Sequence, residues 1–179
     1  MTGVVAAIPD RRISHETCKK YNVTVEFDTE GKIAKHIYPY YATGSNEIKA
    51  SKVRVVKSKD FFATGTMSEG VGLFGQNTCR GKGKFITITE GELDALSVAE
   101  MFDCKWDVVS LRSGAAAAAK EIKENLEFLE GYDSVVVCFD ADPAGQQAID
   151  EIKDLFSPSK LKICTLPTKD ASDMLVAGK

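Results

Sequence analysis

The sequence has no apolar run near the roughly 20 residues that a bilayer-spanning helix needs. Its apolar opening, residues 3–8, is shorter than the core of a signal peptide and has no basic segment before it, so we do not expect secretion. The five cysteines are scattered singly, without a CxxC pair. This spacing excludes a disulfide framework or a zinc knuckle and favours reduced thiols in a cytosol.

The net charge of −3 hides an uneven distribution along the chain. Residues 1–88 carry 14 Lys and Arg against 8 Asp and Glu, whereas residues 89–179 carry 9 against 18, so the balances are +6 and −9. A basic half can attract a polyanion by counterion release, and an acidic half suggests clustered carboxylates. A chance segregation of solvated surface charge is the alternative interpretation.

The first half is typical of a small antiparallel sheet. Ser14 is placed as the N-cap of a short helix. Residues 23–27, 33–41 and 52–56 then mix β-branched or aromatic residues with polar ones, which predicts strands. The glycine-rich segment 81–84 marks a boundary.

Beyond that boundary, short apolar runs alternate with helical stretches. Strands are predicted at residues 85–88, 108–111, 134–139 and 161–166, and helices at residues 92–102, 115–129 and 143–156. This alternation predicts a mostly parallel sheet covered by helices on both faces. The expected fold class is therefore α/β, with a basic α+β subdomain at residues 1–83 and an α/β subdomain at residues 84–179.

Acidic residues follow three of the predicted strands at their carboxyl ends. These residues are Glu90, the pair Asp140 and Asp142, and the pair Asp170 and Asp173. Because open α/β sheets place their working residues beyond those ends, we expect the three loops to meet at one rim. Carboxylates about 4 Å apart repel by roughly 4 kcal/mol at an effective dielectric of 20. Mg²⁺ relieves such repulsion and leaves positions for substrate phosphates, which suits phosphoryl chemistry.

Each acidic segment has a simpler interpretation when taken alone. The Thr-Glu-Gly turn is a common start of a helix, and a single Asp-x-Asp segment is often a helix cap. Their order and their common placement at strand ends favour a functional site instead.

The acidic segments resemble the signature blocks of the TOPRIM fold shared by bacterial-type primases and topoisomerases. The matching segments are residues 89–91, 139–145 and 169–173. Further segments resemble the primase half of the primase-helicases of T7-like phages, namely residues 12–18, 52–54, 72–75 and 110–111. Together the resemblance covers nearly the whole chain.

This resemblance implies a TOPRIM-type DNA primase, which makes short RNA primers from NTPs on a single-stranded DNA template. Glu90 matches the family's essential glutamate, in the acid/base chemistry or the metal shell. Asp140, Asp142 and Asp170 match the metal-binding residues, so all four carboxylates are assigned catalytic and metal-binding roles. The implied cofactor is Mg²⁺, with Mn²⁺ as a substitute. The implied location is the bacterial cytoplasm, including that of a phage-infected host, with no membrane partner.

Basic residues are predicted to bind the nucleotide or the template. Lys52, Arg54 and Lys59 match a basic stretch expected to contact phosphates, although the spacing before Lys59 departs from the family pattern. A solvated edge strand is the alternative for these three, because lysines commonly protect such edges.

Two further cations complete the predicted binding set. Arg112 can meet a phosphate at the start of the next helix, or belong to a plain helix cap. Lys169, beside Asp170, is assigned to nucleotide or template binding. The two histidines, His15 and His36, are expected to be surface residues.

The family's cysteine-rich zinc module and the P-loop of its helicase half have no counterpart in this sequence. A zinc-binding domain and a helicase domain in a longer parent protein are therefore expected partners, and a fragment and a shortened form both stay open. A TOPRIM nuclease or topoisomerase would need a tyrosine nucleophile or an added nuclease motif. A non-catalytic TOPRIM module that only binds DNA is the other alternative, which the retained acidic set disfavours.

Overall fold

The computed structural model describes residues 3–67 and 70–178, which form two four-stranded sheets. The N-terminal part contains helix α1 (His15–Lys20) and strands β1 (Thr24–Phe27), β2 (Ile33–Tyr41), β3 (Ile48–Val55) and β4 (Phe61–Gly65). The C-terminal part contains strands β5 (Gly83–Thr89), β6 (Asp107–Ser110), β7 (Tyr132–Cys138) and β8 (Leu161–Ile163), and helices α2 (Glu92–Met101), α3 (Ala118–Glu124), α4 (Leu126–Glu130), α5 (Pro143–Ile152) and α6 (Ala171–Val176). Short 3₁₀ helices lie at Pro9–Arg11, Gln76–Thr78, Ala115–Ala117 and Lys153–Leu155. Within these ranges we find no helix with the length and apolar character to span a bilayer.

Ser14 caps α1 as predicted. Its hydroxyl oxygen accepts a hydrogen bond from the Thr17 amide at 3.2 Å, which satisfies one of the free N–H groups of the first turn. The Ser14 hydroxyl and amide also donate to Glu100 Oε2 at 2.9 and 3.0 Å. Since Glu100 belongs to α2, the cap joins the N-terminal helix to the C-terminal part of the molecule.

The first sheet is antiparallel, with strand order β1-β2-β3-β4. Strand β3 therefore lies between two neighbours: Lys52 is aligned with Tyr38 on β2 and with Ala63 on β4. The interpretation of Lys52 and Arg54 as residues of an edge strand is wrong, because both belong to β3. The edge strands are β1 and β4, and the sequence pattern did not predict β4.

The second sheet is parallel, with strand order β6-β5-β7-β8, and confirms the expected α/β class. Helices α3, α4 and α5 pack on one face and α2 with α6 on the other. The predicted helix at residues 115–129 is interrupted at Asn125, whose φ of −113° leaves the helical range and whose side-chain amide donates to the Glu121 carbonyl oxygen at 2.8 Å. Strand β8 ends at Ile163, earlier than predicted, although the Cys164 amide still donates to the Val137 carbonyl oxygen at 2.8 Å.

The two sheets share one hydrophobic core centred on Phe74. Its ring is 1% exposed and lies 5.6, 5.7 and 5.9 Å from the rings of Tyr21, Tyr38 and Tyr40. The same core includes Leu96 from α2 and other residues of the C-terminal part. The proposed boundary at residues 83 and 84 falls at the start of β5, so it divides the chain but not this core. The assignment of separate roles to residues 1–83 and 84–179 stays a prediction.

We expect Phe74→Ala to lower the free energy of unfolding by about 3–5 kcal/mol, because it leaves a cavity between the two parts. Urea unfolding, followed by the fluorescence of the single tryptophan and by far-UV circular dichroism, should show one cooperative transition. The control is Phe102→Ala, where the ring is 52% exposed and the cost should be below about 1 kcal/mol. Two separated transitions would show that the parts unfold independently.

Candidate active site

The three predicted acidic loops meet at the carboxyl ends of the parallel strands. The Asp140 amide, just after β7, donates to Glu90 Oε1, just after β5, at 3.0 Å. The Ala141 amide donates to the Lys169 carbonyl oxygen at 2.7 Å, which joins the Asp140 loop to the loop that carries Asp170. Backbone groups therefore hold the loops together although the side chains repel one another.

The start of α5 packs closely against this rim. Asp142 is the N-cap, and its Oδ1 accepts from the Gly145 amide at 2.9 Å. A Cβ atom on residue 145 would lie 2.2 Å from the Asp140 carbonyl oxygen and 2.8 Å from Glu90 Oε1. Only glycine allows the helix to approach both carboxylate loops at this distance.

The N-terminus of helix α6 contacts two further carboxylates near the rim, Asp170 and Asp94. Asp170 caps the helix, with Oδ1 accepting from the Asp173 amide at 2.7 Å. Asp94 on α2 accepts from the Ser172 amide at 3.0 Å. Asp94 was not among the predicted site residues, because an acid in the first turn of a helix is explained by the helix dipole alone. Its position four residues after Glu90 was the one available signal.

Three carboxyl groups of the rim, those of Glu90, Asp94 and Asp140, have raised pKa values. Burial, followed by the charges of Asp140 and Asp142, raises the pKa of Glu90 above its ordinary value. Burial and then the charges of Asp170 and Asp142 raise the pKa of Asp140, an effect that the nearby Lys169 partly offsets. Burial, together with the charges of the neighbouring aspartates and Glu90, raises the pKa of Asp94 to about 7. The rim therefore favours positive charge.

The donor chemistry of the rim suits a hard divalent cation, since all its side-chain ligands are carboxylate oxygens. Among residues 3–67 and 70–178, no three acidic, histidine or cysteine side chains surround a common point closely enough to hold an ion as they stand. Asp142 and Asp170 each give one oxygen to a helix N-terminus and keep a second one for another partner. Mg²⁺ commonly takes one or two carboxylates and completes its shell with water and substrate phosphates, so the residues fit such an ion.

A cleft of about 560 Å³ separates the rim from the antiparallel sheet. Its acidic wall includes Glu90, Asp94 and Asp140, and its opposite wall includes Lys52 and Phe61. Of the predicted basic stretch, the tertiary fold thus places Lys52 in front of the predicted carboxylates.

Lys52 enters this cleft already paired. Its ammonium group lies 2.8 Å from Glu92 Oε1 and donates to the Arg112 carbonyl oxygen at 2.9 Å. Glu92 is 3% exposed and also accepts from the Tyr40 hydroxyl at 2.5 Å. Glu92 was not among the predicted site residues, but the structure shows that it neutralises Lys52 and holds it against α2.

Arg54 has a different environment. Its side chain is 8% exposed, and it makes no ion pair with any residue in the described ranges 3–67 and 70–178. Together with the exposed Lys59 and with Arg11 and Lys32, it lines a pocket of about 610 Å³. Asp10 also lines the pocket, but the cations outnumber it, and a buried cation without an ion-pair partner is costly, so this pocket favours an anion.

The expectation that both histidines lie at the surface is wrong for His36. His36 is 2% exposed, and its Nδ1 lies 3.1 Å from the Tyr38 hydroxyl. Burial, followed by the charges of Arg54 and Arg11, lowers the pKa of His36 to about 4. It is therefore neutral near pH 7. His15 is exposed, as expected.

Arg112 lines the cleft, but its guanidinium contacts protein groups. It donates to the Val71 carbonyl oxygen at 2.9 Å and forms ion pairs with Glu121 and Glu124. Lys169 is exposed beside Asp140. Phosphate binding by either residue stays a prediction, and for Arg112 it would require an existing ion pair to open.

Comparison with known proteins agrees with this architecture. A family model described as Toprim-like matches residues 87–175. The chain is 36% identical to a DNA helicase/primase of Enterobacteria phage T3 over 179 residues, which span 99% of this chain and 30% of that protein. The crystal structure of the primase fragment of the bacteriophage T7 primase-helicase protein has a TM-score of 0.88 and 36% identity, covering 98% of this chain and 71% of that fragment.

A second bacteriophage T7 structure contains primase domains that interact with the lagging-strand DNA polymerase and are bound to an RNA/DNA hybrid and dTTP. It has a TM-score of 0.87 and 35% identity, and the match covers 98% of this chain and 87% of that one.

A parallel sheet with an acidic rim after β5, β7 and β8 defines the class of protein as a TOPRIM unit. The chain belongs to the TOPRIM-type DNA primases, the family of the primase part of T7-like phage primase-helicases. Primases of this family are metal-dependent.

In metal-free protein, the raised pKa of Asp94 predicts that stability falls as pH rises. The unfolded chain ionises this carboxyl near the ordinary value of 3.8, whereas the folded chain keeps the proton up to about pH 7. The folded state therefore binds more protons in this window, and its stability decreases between about pH 4 and pH 7. Asp94→Asn should remove the contribution of this carboxyl to the slope, while Glu90 and Asp140 keep theirs, and should stabilise the metal-free protein at about pH 8 by on the order of 2 kcal/mol.

Urea titrations in EDTA at about pH 5 and about pH 8 measure this difference. Asp133→Asn, at an exposed position of β7, is the control and should keep the slope of the wild type. An unchanged slope in Asp94→Asn would show that this carboxyl titrates normally.

Proposed function

We propose that this chain is the RNA-polymerase domain of a DNA primase, which synthesises short RNA primers from NTPs on single-stranded DNA by metal-dependent nucleotidyl transfer. The observation that carries the proposal is the single cleft in which carboxylates from separate loops face a basic and aromatic sheet. The T7 primase domains bound to an RNA/DNA hybrid and dTTP support it, because they share the fold at 35% identity.

Glu90, Asp140, Asp142 and Asp170 would hold Mg²⁺, or Mn²⁺ in its place. Asp94 lines the same cleft as Glu90 and Asp140 and accepts from the Ser172 amide beside Asp170. The bound ion would neutralise the triphosphate and lower the pKa of the primer 3′-hydroxyl. Glu90 Oε1 accepts from the Asp140 amide, and Oε2 would serve either the ion or the proton of that hydroxyl. Its raised pKa makes it a better proton acceptor than an ordinary carboxylate.

The basic residues divide into two groups by their existing partners. Arg54 and Lys59 have charge available for nucleotide or template phosphates, and the exposed Lys169 stands beside the rim. Lys52 and Arg112 are paired with glutamates, so we assign them first to shaping the cleft and second to contacting phosphate.

The proposed setting is DNA replication in the cytoplasm of a phage-infected bacterium. The chain spans 30% of the T3 helicase/primase, so a helicase domain and a zinc-binding domain in a longer parent protein are proposed partners. They would supply unwinding and the choice of start site.

Two other functions make different use of the same fold. A topoisomerase needs a tyrosine nucleophile, and none of the five tyrosines, which all fall in the described ranges, lines the cleft. A TOPRIM module that only binds DNA has no need to gather mutually repelling carboxylates. A TOPRIM nuclease would cleave DNA under the conditions that test for primer synthesis.

Replacing Asp140 by Asn should abolish primer synthesis, with a loss of at least about a thousandfold, because it removes a central rim carboxylate. The measurement uses the purified chain with Mg²⁺ or Mn²⁺, NTPs and single-stranded DNA, and detects short RNA on a gel. Asp133→Asn serves as the matched control, since it removes the same charge at an exposed position away from the rim. If the wild type makes no RNA even at high protein concentration, or if Asp140→Asn makes as much, the proposed function is wrong.

The same variant separates an enzyme from a DNA-binding module without any activity assay. Mg²⁺ should raise the melting temperature of the wild type, because the folded state alone presents the assembled rim. Asp140→Asn should lose most of this stabilisation, and a pure DNA-binding module should show none in either form.

Arg54→Gln should raise the KM for NTPs by about tenfold with little change in kcat, because a phosphate contact is lost. If the phosphate belongs to the template, the dependence of log Kd on log salt should also become shallower by about one unit. Removing a buried and unpaired cation should leave the melting temperature equal or higher, which distinguishes lost binding from unfolding. Lys105→Gln, at an exposed position, is the control, and template affinity independent of salt would contradict the role.

A further inference from the structure

Phe61 is a large aromatic residue that stays half exposed inside the cleft. Its side chain is 51% exposed, on an edge strand whose five residues are all exposed. It lines the same cleft as Glu90 and Asp140. The folded chain therefore leaves half of this apolar side chain uncovered, in the same cleft as the carboxylate rim.

Two cations flank this ring. Lys52 Nζ lies 5.0 Å and Arg54 Cζ 6.0 Å from the ring centroid. Arg54 is aligned with Phe61 across the β3–β4 ladder, so the two side chains lie on the same face of the sheet. An open aromatic ring beside cations offers a stacking surface for a nucleobase next to charge for its phosphate.

Phe62 does not offer the same combination. It is aligned with Val53, so it lies on the opposite face of the sheet from Lys52 and Arg54. Its side chain is 40% exposed, and no cation is stacked on its ring among the described residues. Phe61 therefore has cations beside its ring, whereas Phe62 has none among the described residues.

We propose that Phe61 positions substrate by stacking on a nucleobase in the cleft. The inference rests on the proposed function and adds a binding residue to it. The base belongs either to the incoming NTP or to the DNA template, and both sources offer the same planar surface. Since every base has such a surface, Phe61 would bind all four with similar strength.

The test compares Phe61→Leu, Phe61→Trp and Phe102→Ala in the full chain. Leucine keeps apolar bulk over Lys52 but removes the aromatic surface, whereas tryptophan keeps that surface. Phe102 is the matched control, because it is 52% exposed on α2 and does not line the cleft. Melting temperatures of the variants should stay close to that of the wild type, since the ring at position 61 is not in the core.

Two binding measurements, which need no catalysis, locate the base. One titrates a fluorescent ATP analogue in the presence of Mg²⁺, and the other follows the anisotropy of a fluorescein-labelled single-stranded oligonucleotide. Phe61→Leu should weaken one of the two by about tenfold, while Phe61→Trp stays within about threefold of the wild type. Weaker nucleotide binding identifies the base of the NTP, and weaker oligonucleotide binding identifies a template base.

If Phe61→Leu binds both ligands as tightly as the wild type, the inference is overturned, because an apolar side chain of similar bulk would then be sufficient. Equal weakening by Phe61→Leu and Phe61→Trp would overturn it as well, since the aromatic surface would not be the cause. Neither outcome affects the proposed function, which depends on the Asp140→Asn comparison. Conversely, if Phe61→Leu loses binding while Asp140→Asn keeps full activity, the stacking role of Phe61 is supported and the catalytic role assigned to Asp140 is wrong.

Discussion

Mutual repulsion among carboxylates at one rim is the constraint on which the rest of the structure depends. Burial, and then the charges of the neighbouring carboxylates, raises the pKa values of Glu90, Asp94 and Asp140, so assembling the rim opposes folding at neutral pH. Backbone hydrogen bonds and helix N-termini hold the groups in place, and Gly145 removes the one side chain that would keep α5 away. A divalent cation would relieve the repulsion, which explains why such a costly arrangement suits a metal-dependent family.

The second requirement is a wall opposite that rim. Phe74 and the tyrosines around it fuse the antiparallel sheet to the parallel part, so the cleft between them has a fixed shape. The Lys52–Glu92 ion pair reinforces this junction at the mouth of the cleft. Of the basic residues in the first half of the chain, Lys52 faces the acidic rim across this cleft, whereas Arg54 and Lys59 line a separate pocket.

Pairing within the protein decides which cations are available to a ligand. Lys52 and Arg112 already have carboxylate partners, whereas Arg54 is buried without an ion-pair partner in the described part of the chain. The presence of a lysine or arginine in a basic stretch of the sequence is therefore not enough to assign phosphate binding to it. The burial of the side chain and its ion-pair partner together distinguish a cation that shapes the cleft from one that is available to bind an anion.

The sequence by itself determined the parallel sheet, the cap at Ser14 and the meeting of the Glu90, Asp140 and Asp170 loops. These follow from local signals, namely apolar periodicity, capping chemistry and the rule that parallel strands end at one edge. Only the tertiary structure decided that β4 completes the first sheet, that His36 is buried, that Asp94 joins the rim and that Arg112 is paired. Each of these depends on residues far away in the chain, and a local pattern does not identify which distant residues will become the partners.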